Sequence, residues 1–277
     1  MVHIRYLKWF AVPFFLLFSV LSVAKELTIG IVPQFSITDI YNTWNPVLKA
    51  VEAETGLQFR MKSYQSIPDF EKGIMNSEVD IAYMNPYHLI MVQRAAGYIP
   101  IIRNGSTKLT GLLVVKKDSP YNSIADLEGK TIAFPAPNAF GASLYMRALL
   151  KEQEKINFKA KYVRTHSNVW RQVLTGIADA GGGVRVTLKK EPANIQDNLR
   201  VLYVTPGVNP HPLAVHPRVP ESERKVIQNA FLKLATTPES QKMLANIQIP
   251  EPVVTNFSDY TPLMKLELER YVVINGD

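Results

Sequence analysis

The chain has 277 residues, 47% of them hydrophobic, with no cysteine and a formal charge of +7. Zero cysteines exclude disulfides, thiolate nucleophiles, cysteine-ligated metals and a lipid-modified N-terminal cysteine. Basic residues are scattered apart from pairs such as Lys116-Lys117 and Lys189-Lys190, so nucleic acid is not an expected partner, although a modest positive field helps recruit an anion.

At the start, Arg5 and Lys8 precede an apolar run over residues 9–21, and the small residues Ser22-Val23-Ala24 follow. This is the layout of a secretory signal peptide, expected over 1–24 and cleaved after Ala24 to release a periplasmic protein. The alternative is an uncleaved anchor, but the run is short against the roughly 20 apolar residues of a span.

Residues 27–33 form a short β-branched apolar run closed by Pro33, which predicts a buried strand. Ile40, Trp44, Val47, Leu48 and Val51 recur near helical spacing, and Gly56 stops that helix. Strands are predicted over 57–61 and 79–83, with helices over 68–76 and 86–96. A long strand is expected to end near Val115, followed by a polar loop and a capped helical turn over 123–130. A second series then begins: strand 131–134, helix 141–154, strand 160–163, helix 169–175, a strand end over 178–181 and a strand over 199–204. Residues 213–216 read as a strand returning to the first unit, and helices over 220–236 and 238–247 complete the chain. Alternating strands and helices predict an α/β fold with crossover helices and mostly parallel sheets. Ligands of such sheets sit beyond the C-terminal ends of strands, which draws attention to the loops after Val32, Ala82, Phe134, Val163 and Ala180.

Those loops carry a pattern. Thr43-Trp44-Asn45-Pro46-Val47 comes before Thr55-Gly56, and Val79-Asp80-Ile81-Ala82-Tyr83 before Asn85-Pro86-Tyr87. Ile124-Ala125-Asp126-Leu127-Glu128-Gly129-Lys130 leads into Thr131, and His166-Ser167-Asn168-Val169 is followed by Gly176-Ile177-Ala178-Asp179-Ala180-Gly181. In order and spacing these segments resemble the phosphate, phosphite and phosphonate substrate-binding family of ABC importers, over nearly the whole chain after residue 24. The resemblance implies a two-lobed fold of the type II periplasmic binding protein kind, each lobe a mixed, mostly parallel sheet flanked by helices. Two crossing segments, near Thr110 and Pro212, are expected to join lobe 1 (25–111 and 213–277) to lobe 2 (112–212). It implies hinge closure on a small anionic solute and an ABC transporter permease as partner, or alternatively a membrane histidine kinase or receptor that senses the loaded protein. A monomer is expected, with no cofactor and no metal.

The candidate site follows from the same loops. Free amides and the helix dipole favour an anion at the start of the helix that Asn138, Phe140, Gly141, Ala142 and Ser143 lead into. The resemblance implies Ser or Thr in this loop. This chain has Ala139-Phe140-Gly141 instead, with Ser143 as the nearby hydroxyl, which argues against phosphonate and leaves backbone amides to hold a phosphate or carboxylate. A His at position 166 is implied to donate to ligand oxygens, beside Asn168. Arg185, after Gly181-Gly182-Gly183, is a candidate for bidentate anion pairing, with a surface role as the alternative. Where the family shows an acid, this chain has His211, which favours a more anionic ligand. Gln34, Tyr83, Asn85 and Tyr87 complete the set from the first lobe, the tyrosines offering a flat face and one hydroxyl each. Asp179 reads equally as a turn anchor or a ligand contact, and His88 and His216 read as structural. No G-x-S-x-G, H-E-x-x-H, Walker A or G-x-G-x-x-G occurs, so a binding protein is expected rather than an enzyme.

Overall fold

The computed structural model describes residues 25–273, and the expected signal peptide lies outside the described residues. The first unit runs β1 (Glu26–Ile31), α1 (Ile37–Thr55), β2 (Gln58–Lys62), α2 (Ile67–Met75), β3 (Ile81–Tyr83), α3 (Pro86–Ala96) and β4 (Ile99–Asn104). The second runs β5 (Gly111–Lys116), β6 (Thr131–Phe134), α4 (Tyr145–Glu152), β7 (Lys159–Tyr162), α5 (His166–Leu174), β8 (Ala180–Val184), α6 (Arg185–Lys189), α7 (Ala193–Gln196) and β9 (Leu199–Val204). The chain then returns through β10 (Leu213–Val215), α8 (Glu221–Leu234), α9 (Pro238–Asn246) and β11 (Pro252–Val254), and closes with 3₁₀ turns up to Tyr271. No helix among the described residues is long and apolar enough to cross a membrane.

Two mixed sheets result, ordered β11-β4-β10-β3-β1-β2 and β7-β6-β8-β5-β9. The α/β, two-lobed architecture is the expected one. β1 pairs in parallel with β2 and β3, and β6 with β7 and β8. The remaining pairs are antiparallel, because β5, β9 and β10 arrive from the crossings and β4 and β11 close the first sheet's far edge. The crossings touch: Leu109 and Val208 exchange backbone hydrogen bonds of 2.9 and 3.0 Å. A third strand of contact is the C-terminal tail. Tyr271 O accepts from Arg147 (2.6 Å) and Val273 O from Asn138 (2.9 Å), so residues that follow the first lobe's helices end bonded to the second.

The first lobe's core is the apolar face predicted for α1, with Trp44, Val47, Leu48 and Val51 buried under Leu27, Ile29 and Ile31 of β1. Each such side chain contributes about 1.5–3 kcal/mol on burial. Helix α1 starts at Ile37, three residues before the expected point, because Ser36 caps it: Ser36 Oγ accepts from Asp39 N at 3.1 Å. Strands β4 and β11 and the short helices α6 and α7 were not expected. β4 contains Pro100, which weakens a strand reading, yet Pro100 lies opposite Ala214 where the β10–β4 register shifts.

Both lobes use one anchor. Asp80 accepts from Thr28 N at 2.7 Å and Asp179 accepts from Thr131 N at 2.9 Å, while each Asp N–H returns a 2.9 Å bond to the same threonine's carbonyl. Each carboxylate thus ties two parallel-running strands of its lobe, Asp80 joining β1 to the start of β3 and Asp179 the start of β6 to the start of β8. Asp179 anchors neither the following turn nor a cavity wall: its carboxylate accepts from Thr131 N and from the Tyr121 hydroxyl.

Candidate functional site

The loop after β6 is shaped by what lies behind it. Residues 140–144 form one π-helical turn that runs into α4. The amides of Ser143 and Leu144 donate to Ala139 O at 2.7 and 3.2 Å. Ala139 stands at the N-cap position with no side-chain acceptor to offer. The amides of Phe140, Gly141 and Ala142 therefore have no acceptor among the described residues, and helix-start amides left in this way are an anion site in waiting.

Close backbone approach holds that turn in place. A Cβ on Gly111 would lie 1.9 Å from Gly141 O, and one on Gly182 would lie 2.1 Å from Ala142 O. The glycine run on β8 is thus a matter of space, and none of Gly181, Gly182 and Gly183 has positive φ. Beneath the turn, Arg147 is buried and donates to Pro137 O (3.0 Å), Ser143 Oγ (3.2 Å) and Tyr271 O (2.6 Å). Burial lowers its pKa, but a guanidinium stays charged. No carboxylate pairs with it among the described residues, so its positive charge remains under the loop. Sequence reasoning missed Arg147; the available signal was a lone Arg four residues after Ser143 in the apolar stretch 139–150.

Two imidazoles face the turn. His166 is the first residue of α5, whose N-cap Thr165 accepts from Asn168 N at 3.2 Å. Its ring is buried, its Nδ1 has no partner, and burial pulls its pKa down to about 4. His211 comes from the second crossing and stacks on Tyr83 with ring centroids 5.4 Å apart. Its Nε2 lies 3.1 Å from Gln34 Nε2, an amide nitrogen that can only donate, so His211 accepts there and carries its proton on Nδ1. Burial first, then the charges of His88 and His166, lower its pKa to about 3. Both rings are neutral near pH 7.

Together these groups enclose a tight cavity of about 10 Å³ between the lobes, lined by Gln34, Asn85, Phe140, Gly141, Ala142, His166 and His211 and walled by apolar Val32, Ile67, Leu109, Ala139 and Val184. No carboxylate lines it. Amides, neutral imidazoles and a primary amide can all donate, so the arrangement suits a small oxyanion. The lobes touch around it: Asn85 Nδ2 donates to Asn138 O at 3.2 Å, and Asn138 Nδ2 to Glu71 Oε2 at 3.1 Å.

Other expected residues lie elsewhere. Tyr87 lines an outer groove and its hydroxyl pairs with Glu269. Asn138 spends its amide on Glu71 and Val273. Ser143 accepts from Arg147 rather than facing the cavity. Asn168 is exposed and donates to Val163 O at 2.9 Å. Tyr83 and exposed Arg185 line a vestibule next to the cavity. His88 and His216 are held by protein: His88 Nε2 lies 2.8 Å from Glu71 and His216 Nε2 3.1 Å from Ser77. No cluster of metal-ligating side chains occurs among the described residues.

Residues 29–260 match the family model of the phosphonate ABC transporter's periplasmic substrate-binding protein. The chain belongs to this family. It is a periplasmic substrate-binding component of an ABC importer, taking a small anionic solute for the permease. Across 237 residues it is 24% identical to the phosphonates-binding periplasmic protein of Escherichia coli K12, covering 80% of this chain and 70% of that one. Among solved structures it is similar to a binding component of a Pseudomonas aeruginosa phosphonate transporter (TM-score 0.79, 18% identity, 90% of this chain and 88% of that one). It is equally similar to a Prochlorococcus marinus protein in complex with methylphosphonate (TM-score 0.80, 15% identity, 90% and 99%). At these identities the solved structures carry the fold alone, and the fold they carry is the two-lobed one.

Proposed function

We propose that this chain captures a phosphonate or a closely related phosphorus oxyanion between its lobes and releases it to its permease. The observation that carries the reading is the set of amides at Phe140, Gly141 and Ala142, which lack acceptors and line a cavity free of carboxylates. Three oxygens of a tetrahedral oxyanion match three such donors, with His166 and Gln34 supplying side-chain donors opposite. The missing loop hydroxyls do not argue against phosphonate in this light. Ala139 leaves the amides to the ligand, and buried Arg147 supplies charge from below.

The division into 25–111 with 213–277 and 112–212 is proposed as the pair of bodies that close, hinged at the joined crossings near Leu109 and Val208. Export through residues 1–24, a monomeric state and the absence of catalysis belong to the same proposal. In support of the last, Ser143 Oγ is occupied by Arg147 and His166 has no carboxylate partner, so neither forms part of a nucleophile–base pair.

The test is calorimetric titration with methylphosphonate, phosphate, a sulfonate and a carboxylate, alongside thermal unfolding. At 100 times its Kd a true ligand adds about 2.7 kcal/mol of stability. Saturable binding of a phosphorus oxyanion is expected. Binding of none of them, or binding of neutral sugars or cations instead, overturns the proposal.

A further inference from the structure

The cavity opens into two vestibules, and their charges differ. One, on the side of Gln34 and His166, contains Arg164 and Lys190 but also Asp39 and Glu191. The other, with a volume of about 430 Å³, shares Leu109, Val184 and His211 with the cavity and contains Lys108, Arg185 and Lys189. No acidic residue lines it. Lys108 Nζ donates to neutral Asn209 Oδ1 at 2.7 Å, and none of the three cations pairs with a carboxylate among the described residues. Tyr83, which is 3% exposed and stacked on His211, lines the same vestibule with no hydrogen-bond partner for its hydroxyl among the described residues.

Cations on a folded surface ordinarily find carboxylates, and this chain has 24 acidic residues to offer. Three cations with no ion pair around one mouth of a ligand cavity, only Lys108 having a carboxylate, Asp259, as a more distant neighbour, keep a positive potential there, and low-dielectric walls focus it. The cavity itself is tight, about 10 Å³, so any substituent beyond a bound headgroup must leave through a vestibule. A negative substituent is drawn toward the mouth without acids. We propose that the vestibule bounded by Lys108, Arg185 and Lys189 is a second anion subsite, and that the preferred ligand is a short phosphonate bearing a terminal carboxylate. This rests on the headgroup reading given above. The phosphonate group sits at the amides of Phe140, Gly141 and Ala142, and the carboxylate points past His211 toward Arg185, whose planar fork suits it.

The experiment separates the two claims. The wild-type chain is titrated with methylphosphonate, with phosphonoacetate and 3-phosphonopropionate, and with the primary amides of those two acids. The amides keep shape and remove one charge. At least one acid is expected to bind about tenfold or more tightly than its own amide, with that ratio shrinking as salt is raised. In a Lys108→Ala/Lys189→Ala variant and in Arg185→Ala, the acid-to-amide ratio is expected to fall toward one. Methylphosphonate binding with no preference for either acid overturns the second subsite and leaves the headgroup reading standing. A preference that survives both variants also overturns it. Failure of every phosphonate to bind overturns both claims.

Discussion

The two lobes carry the same βαβαβ frame and use the first helix start in opposite ways. Thr28 and Asp80 in one lobe correspond to Thr131 and Asp179 in the other, with matching hydrogen bonds. Counted along from those threonines, Ser36 of the first lobe stands where Ala139 stands in the second. Ser36 caps its helix through Asp39 N. Ala139 caps nothing and leaves three amides without acceptors. The strand register makes a second contrast, because Tyr83 on β3 occupies the place that Gly182 occupies on β8. The first lobe fills that space with a ring, whereas the second leaves it for the π-turn's backbone. A cap residue typically stabilises by about 1 kcal/mol. The second lobe forgoes that stability locally, and under the proposed function an anion recovers it on binding. Under the proposed function, one frame serves as a scaffold in one lobe and as a receptor in the other.

The sharpest way to break the contrast is to give the second lobe its own anion. In Ala139→Asp the new carboxylate can accept from the amide of Ala142 and repel a ligand. We expect phosphonate affinity to drop at least about 100-fold while unliganded stability is retained or rises by about 1 kcal/mol, read by calorimetry and urea unfolding. Retained affinity would show that these amides do not hold the ligand. Next in size is Gly182→Ala, which puts a methyl 2.1 Å from Ala142 O and 2.6 Å from the Phe134 ring. Overpacking of this kind costs roughly 1–3 kcal/mol. The shifted turn should also weaken binding about tenfold or more; an unchanged urea midpoint and affinity would remove β8 as the template of the turn.

How much of this was legible beforehand depends on what set each feature. The alternation of strands and helices and the apolar face of α1 were readable because local chemistry decides them, whereas Asn85, read as a ligand residue, also caps α3. That Gln34, His166 and the loop after β6 meet at one cavity was readable because strand-end loops are few and their residue types are telling, and His211 was readable through the resemblance, whereas the π-turn itself was not expected. Tyr87, Asn138, Ser143 and Asn168 sit in the same segments as cavity residues, yet Tyr87 and Asn138 turn to partners distant in sequence, Ser143 to the Arg147 side chain one turn on and Asn168 to a nearby backbone carbonyl. Period and spacing say which loop a residue occupies, not which way its side chain leaves it. Arg147 was hidden for the same reason, since its partners Pro137 and Tyr271 meet only when the tail folds across the second lobe. Strand β4 was hidden by Pro100.

The next test concerns the histidines. A hydrogen bond from His166 to a charged ligand is worth about 1.5–3 kcal/mol, so His166→Ala should weaken binding about tenfold or more, while His216→Ala, beside Ser77 on the first lobe's far side, should not. Equal effects would take His166 out of the site. Proton linkage gives a companion measurement. His166 and His211 are held neutral with pKa values near 4 and 3, whereas an unfolded histidine titrates near 6.5. Between those values the unfolded chain binds more protons, so these two sites contribute stability that is fully present above about pH 6.5 and is lost as pH falls toward 3. A bound anion favours the imidazolium and raises both values, so binding should take up protons near pH 5 and tighten on acidification. Methylsulfonate, whose own charge is constant there, is the probe that isolates the protein's protons. Urea midpoints for the double His→Gln variant should depend less on pH between 6.5 and 4 than those of the wild type.

The smallest expected effect tests the other half of the contrast. Ser36→Ala removes the cap that accepts from Asp39 N, and Asp39 loses the hydroxyl that donates to its own carboxylate at 2.7 Å. The cost should be about 1 kcal/mol, seen as a lower urea midpoint with unchanged slope. Phosphonate affinity should stay within about twofold of wild type, because the first lobe's helix start holds its own side chains and no ligand. If Ser36→Ala instead weakened binding as much as Ala139→Asp does, the two helix starts would share one role, and the division between scaffold and receptor would fail.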